Sequence, residues 1–150
     1  MTGDVWAFSG TRNGQNLSYR AHILGWLQGL PRTDEYVTGG CEGLDALAGG
    51  YMRWLHPDAV HRVVVPANKR LVDYWWAPYP DVIVEYMPPD TDYKDRNARL
   101  VELGTRLAAF PEYWEDHPRS RRSGTWQTIR MARRKPILIA LFVLNGLSCD

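Results

Sequence analysis

Short apolar runs alternate along the chain with stretches of helical spacing. The run "DVWAFS" (4–9) predicts a first strand, and after the polar loop "GTRNGQN" the positions Leu17, Ala21, Leu24 and Leu27 predict a helix. "EYVT" (35–38) predicts a second strand. It leads into "GGCEG" and a helix with Leu44, Leu47, Ala48, Tyr51 and Leu55 on one face. "HRVVVPA" (61–67) and "DVIVEYM" (81–87) predict strands three and four. A helix over 93–104 puts Asn97, Leu100, Val101 and Gly104 on one side, and "RLAAF" (106–110) predicts the fifth strand. A polar loop, "PEYWEDHPRSRR", precedes a helix from Gly124 and a last strand in "KPILIALFV" (135–143). The segment "NKRLVDYWWAPYP" (68–80) reads as a loop or short helix over a sheet edge.

Strands alternating with helices imply parallel strands joined by right-handed crossovers. The expected fold is therefore a Rossmann-like three-layer α/β/α domain with a mostly parallel sheet. Burial on both faces would explain why "RVVVP" and "PILIALFV" are apolar throughout. A chain of 150 residues fits one such domain over 1–150, and no repeat or low-complexity tract divides it.

Composition changes this picture little. The chain is 45% hydrophobic and 23% charged with net charge +1, so no global field steers it onto nucleic acid or membrane. The longest apolar run is too short to span a bilayer, and the first residues lack the pattern of a signal peptide. Cys41 and Cys149 have no metal-ligand spacing and read as free thiols of a reducing, cytoplasmic compartment. His22, His56, His61 and His117 show no ligand spacing either, so neither metal nor cofactor is expected. The pair Trp75–Trp76 could stack a base, cover a sheet edge or face a second copy in a homo-oligomer.

In an open parallel sheet, ligands bind outside the carboxyl ends of the strands, near the switch in strand order. Three glycine-bearing loops, "SGTRNG", "TGGCEGLD" and "RRSGTW", follow strands one, two and five and precede helices. Helix starts offer open N–H groups that suit phosphate, although glycine and Ser/Thr also serve as plain turn and cap residues. Arg96 and Asn97 near the start of the helix after strand four could hold a phosphate and read a ribose or base edge; alone, they read as a surface arginine and a helix cap. Cys41 is more simply a small residue in a tight turn than a thiolate. The loop 111–122 reads equally as a lid or a solvated insertion.

The series "FSGTR", "TGGCEGLDALA", "DRNARLV", "LAAFP" and "SGTWQTIRMARRKPI" resembles the SLOG superfamily. Its members include LOG-type hydrolases that release cytokinin bases from nucleotides, and DNA-processing protein A. The small single-domain members, some from phages and actinobacteria, are the nearest in pattern. The resemblance implies a fold that binds a nucleotide, a nucleotide derivative or nucleic acid. It places Ser9, Gly10, Thr11 and Arg12 at the first loop and Gly39, Gly40, Gly43 and Asp45 at the second. It places Arg96 and Asn97 beside the sugar-phosphate, and Ser123, Gly124, Thr125 and Thr128 around the phosphate.

One departure stands out. Where LOG-type hydrolases carry a glutamate that supports N-glycosidic cleavage, this chain has Thr128, whose neutral hydroxyl cannot stabilise an oxocarbenium-like centre. Glu42 or Asp45 could replace it, although Asp45 reads more simply as a first-turn carboxylate. The leading expectation is a binder of a nucleotide or nucleotide-derived molecule, acting as a sensor or sequestering protein. An N-glycosidase acting on a nucleoside monophosphate is the alternative. Single-stranded DNA binding is a second alternative, which the net charge does not favour.

Overall fold

The computed structural model describes residues 3–147. Six strands form one sheet: β1 (Val5–Gly10), β2 (Glu35–Thr38), β3 (Val60–Val65), β4 (Ile83–Tyr86), β5 (Arg106–Phe110) and β6 (Leu138–Leu141). Four helices join them: α1 (Leu17–Gly29), α2 (Leu44–Leu55), α3 (Tyr93–Leu103) and α4 (Gly124–Arg133). The strand order is β4-β3-β2-β1-β5-β6, and every neighbouring pair is parallel. The chain winds outward from β1 in both directions, so the switch point lies between β1 and β5.

Side chains of β1 alternate between the two layers. Trp6 and Phe8 join Tyr36 and Phe110 beneath α1 and α2. Ala7 joins Leu107 and Ala109 beneath α4, against Trp126 and Ile129. Val64 and Val37 meet Leu100 of α3, while Val63 and Val65 on the opposite face of β3 are covered by Trp76 from segment 68–80. Trp75 lies against Gly49 of α2, where a Cβ would overlap its ring. The tryptophan pair therefore covers the sheet and α2, and neither ring lines the main cavity.

Two expectations change. The buried face of α1 is Ile23 and Leu27, with Tyr19, Leu24 and Trp26 packed beside them, while Leu17 and Ala21 are exposed. The stripe Leu17–Ala21–Leu24 matches helical spacing but lies one step around the helix from the core. The last strand is only four residues long and sits at the sheet's edge, with Leu138 and Leu141 exposed. Its apolar run therefore does not come from burial on both faces, whereas Val63, Val64 and Val65 of the interior strand β3 are fully buried. Cys41 is buried and free; Cys149 lies outside the described residues. Among the described residues no helix is long and apolar enough to cross a membrane.

Candidate functional site

A cavity of about 920 Å3 opens at the carboxyl ends of β1, β2 and β5. Ser9 to Asn13, Cys41, Glu42, Asp45, Arg96, Asn97 and Ser123 to Gln127 all line it. The topology accounts for this. In a parallel sheet every strand-to-helix loop emerges on one edge, and the β1 and β5 loops diverge at the switch point.

The loop after β2 is fixed by a buried ion pair. Asp45 in the first turn of α2 lies 3.7 Å from Arg96 of α3, and its Oδ2 accepts from the Cys41 N–H at 3.2 Å. Arg96 also donates from Nη1 to the Gly39 carbonyl and from Nε to Asn97 Oδ1 at 3.1 Å. Arg96 is 7% exposed and Asp45 6%. Burial pushes the Asp45 carboxyl above its usual range, against the pull of Arg96 and of backbone N–H groups from the loop. Burial also raises the Cys41 thiol, so no thiolate is favoured there. Arg96 is thus not a surface residue. Through Nε and Nη1 its guanidinium holds β2's loop against α3 at the cavity floor, and Nη2 has no acceptor among the described residues.

The glycines of that loop serve packing and do not line the cavity. A Cβ at Gly39 would overlap Arg96 and Asp45. Gly40 and Gly43 have φ of +76° and +86°, a region that favours glycine. Gly43 also lets the start of α2 press onto the backbone of Arg12, and Leu44 N–H donates to the Thr11 carbonyl at 3.0 Å. The start of α2 is therefore closed beneath the first loop. The start of α3 is closed differently. Asp92 and Asp95 form a reciprocal capping box, each carboxylate accepting the other's backbone N–H at 3.0 Å. A phosphate would meet two carboxylates there.

The start of α4 is open. Ser123 caps Trp126 N–H at 3.2 Å, and the first turn holds no acid. The N–H groups of Gly124 and Thr125 have no acceptor among the described residues. Ser9 and Thr125, each 6% exposed, line the cavity with hydroxyls bonded to no described residue. Gly124 has room, since an added Cβ would meet only Asn97 Nδ2, at 3.6 Å. Thr128 does not reach the cavity. It is fully buried, and its hydroxyl donates to the Gly124 carbonyl at 2.8 Å, one helical turn back. The Thr128 side chain is thereby turned into the helix itself.

The segment 111–122 forms one wall and is tied down. Trp126 Nε1 donates to the Tyr113 carbonyl at 2.9 Å, Ser120 Oγ to the Trp114 carbonyl at 2.6 Å, and Glu115 pairs with Arg130 and Arg133 of α4. Those two guanidiniums hold the Glu115 carboxyl below its usual range. Glu112 accepts from Asn13 Nδ2 at 2.9 Å and from the Tyr19 hydroxyl at 3.1 Å, joining this wall to the first loop. Burial and that carboxylate push Tyr19 up to about 12. The wall brings Arg119 and Arg122 to the cavity, with Lys94 and Arg12 arriving from α3 and the first loop. Arg119, Arg122, Lys94 and Tyr113 were not among the sequence-derived candidates. The run "PRSRR" was the signal for the two arginines, and only the pinning of the loop turns it toward the site. Among the described residues no cluster of three or more His, Cys, Asp or Glu could hold a metal ion.

No family model matches the chain, and no curated protein matches it. Two solved structures share its architecture. DNA processing protein A from Streptococcus pneumoniae superposes with a TM-score of 0.65 at 19% identity, over 97% of this chain and 53% of that one. DNA processing protein A from Helicobacter pylori gives 0.58 at 18% identity, over 92% of this chain and 65% of that one. The chain has the Rossmann-like fold of DNA processing protein A. At these identities the likeness is one of fold, and the chain spans less than two thirds of either protein. The Helicobacter pylori protein is described as binding single-stranded DNA.

Proposed function

We propose that this chain binds a nucleotide or nucleotide-derived ligand through a phosphate seated at the start of α4. One observation carries the reading. Of the three helix starts that meet the cavity, α2's lies closed under the first loop and α3's is filled by its own carboxylates. Among the described residues, the start of α4 sets open N–H groups beside the unbonded hydroxyls of two largely buried residues, Ser9 and Thr125. Arg12, Lys94, Arg119 and Arg122 line the same cavity and supply compensating charge. A single seat of this kind favours a ligand with one terminal phosphate.

Calorimetry with a nucleoside and its 5′-monophosphate tests the reading. The monophosphate is expected to bind more tightly, by about tenfold or more for each charge-assisted hydrogen bond that its phosphate accepts. Gly124→Val should erase the difference, because its side chain would occupy the phosphate's approach. Equal affinity for nucleoside and monophosphate in the native protein would overturn the proposal.

A second reading, binding of single-stranded DNA, is favoured by the fold shared with DNA processing protein A and by the arginines at the cavity wall. It would use the same seat for a backbone phosphate. A phosphoribohydrolase-like reaction would fall to Glu42, since Asp45 is committed to Arg96. Release of free base from a nucleoside monophosphate, followed by chromatography, is its test.

A further inference from the structure

Four carboxylates line the cavity, and three are already engaged. Asp45 is paired with Arg96, Asp92 caps α3, and Glu112 accepts from Asn13 and Tyr19. The fourth, Glu42, is exposed to the cavity and has no ion pair or side-chain hydrogen bond among the described residues. Its backbone is nevertheless fixed. Glu42 N–H donates to the Leu71 carbonyl at 2.8 Å, and its neighbour Cys41 forms a bridge with Val72. Leu71 and the half-buried ring of Tyr93 complete this end of the cavity.

Position follows from the sheet. Glu42 stands in the loop after β2 and Gly124 in the loop after β5, and these strands flank β1 on opposite sides. Two strand spacings separate their ends by about 10 Å. That is the span between the phosphate and the far edge of the base in a mononucleotide. The α4 end of the cavity therefore carries open N–H groups with Arg119 and Arg122, and the other carries an aromatic ring, an aliphatic side chain and one uncommitted carboxylate, with Arg12 and Lys94 beside them.

We propose that Glu42 is a specificity-determining residue that accepts paired N–H donors from the ligand's base. This rests on the phosphate reading given above. A carboxylate offers two parallel acceptor oxygens and no donor. Its best partner among the bases is guanine, which presents N1–H and the 2-amino group side by side. Adenine and cytosine offer an amino group next to a ring acceptor, which a carboxylate repels. Hypoxanthine keeps N1–H and lacks the amino group. The ligand class is thus a guanine-bearing nucleoside monophosphate or a derivative that retains both the phosphate and the base edge.

Calorimetry with GMP, IMP and guanosine, on the native protein and on Glu42→Gln, tests this. Native protein should bind GMP at least about tenfold more tightly than IMP, the loss expected for a charged acceptor left short of a donor. In Glu42→Gln, GMP affinity should fall by a similar factor and the GMP/IMP preference should shrink to about twofold or less. The melting temperature without ligand should not move, because the Glu42 side chain is exposed. A native preference below about twofold, or one that survives in Glu42→Gln, overturns the assignment. Release of guanine from GMP that disappears in Glu42→Gln would also overturn it, by giving Glu42 to bond cleavage. The comparison of GMP with guanosine reports on the phosphate seat separately. If guanosine binds as well as GMP, the phosphate reading fails while the GMP/IMP ratio still judges Glu42. If none of the three binds, both readings fall.

Discussion

Arg96 shows how a residue type found at ligand sites can serve the scaffold beneath one. Its guanidinium joins Asp45, the Gly39 carbonyl and Asn97, all buried at the cavity floor. Removing one member of a buried pair leaves the other as an uncompensated charge, which typically costs 3–5 kcal/mol. Arg96→Ala is therefore expected to lower stability by about 3 kcal/mol or more, roughly 6–12 °C in melting temperature for a domain of this size. Adding Asp45→Asn to Arg96→Met should recover part of that loss, because no unpaired charge then remains; thermal melts of the single and double variants decide it. An unchanged melting temperature in Arg96→Ala would show that the pair contributes nothing to the fold. The glycines divide on the same physical grounds. Gly43→Ala should destabilise, since φ is +86° and the new Cβ would overlap the Arg12 backbone. Gly124→Ala should stay within about 0.5 kcal/mol of native, because its nearest neighbour is 3.6 Å away. Denaturant titration of both variants compares them directly. Nothing in the sequence separates these two glycines, since the difference lies in backbone angles and in what packs above them.

At the scale of elements, local pattern foretold more than it foretold about faces. The start of α4 was legible because Ser123 stands just before helical spacing and caps it, as such residues do, whereas α3 is capped by Asp92 and not by Asn97, which lies inside the helix. The face of α1 was not, because that helix carries apolar residues on both sides and its amphipathic contrast is nearly absent; packing against Phe110 and Phe142 selects the side with Trp26. The edge position of β6 was hidden for a related reason, since a run of apolar residues does not report whether a further strand follows beside it. The sheet also holds a stack that the sequence did not suggest. Tyr36 of β2 lies between His56 and His61, with ring centroids 5.6 and 5.5 Å away, and His61 Nε2 lies 2.8 Å from the His56 carbonyl. Burial lowers both histidine pKa values from 6.5; Arg32 adds to this at His56 against Asp58, while at His61 the bond to the His56 carbonyl, and then Asp81, oppose it and Arg53 adds to it. The folded state then binds fewer protons than the unfolded chain below pH 6.5, so stability falls as pH falls through this range. The loss should begin below pH 6.5 and level off once pH is under the folded values. Urea midpoints at pH 7.5 and 5.5 measure it, and His61→Phe should flatten the difference. A native midpoint that rises toward pH 5.5 would contradict the assignment.

For the whole molecule, net charge conceals an uneven distribution. The chain carries +1 overall, yet residues 117–135 contain Arg119, Arg121, Arg122, Arg130, Arg133, Arg134 and Lys135 and no Asp or Glu. This segment runs from one wall of the cavity to the far end of α4: Arg119 and Arg122 line the cavity, Arg133, Arg134 and Lys135 stand at the opposite end of the helix, and acids predominate elsewhere. Glu115 neutralises part of it through Arg130 and Arg133, which leaves Arg119 and Arg122 at the cavity and Arg121 beside them in the chain. The charge argument against nucleic acid, drawn from the sum, therefore does not hold for the surface that would meet it. The two readings differ in how binding should respond to salt. A mononucleotide touches the seat and a few cations. A single strand that continues along the segment releases a counterion for each further phosphate neutralised, with a slope of about −0.7 per phosphate in log affinity against log salt. Fluorescence anisotropy with a labelled oligonucleotide, between about 50 and 200 mM salt, is expected to give a slope of roughly −1 to −2 if only the phosphate seat and its adjacent arginines engage. Replacing Arg121 and Arg122 together with Ala should then change the slope by about one. A slope of about −4 or steeper, lost together with affinity in Arg130→Ala and Arg134→Ala, would place a strand along α4 and make the single-stranded reading the main function of the cavity.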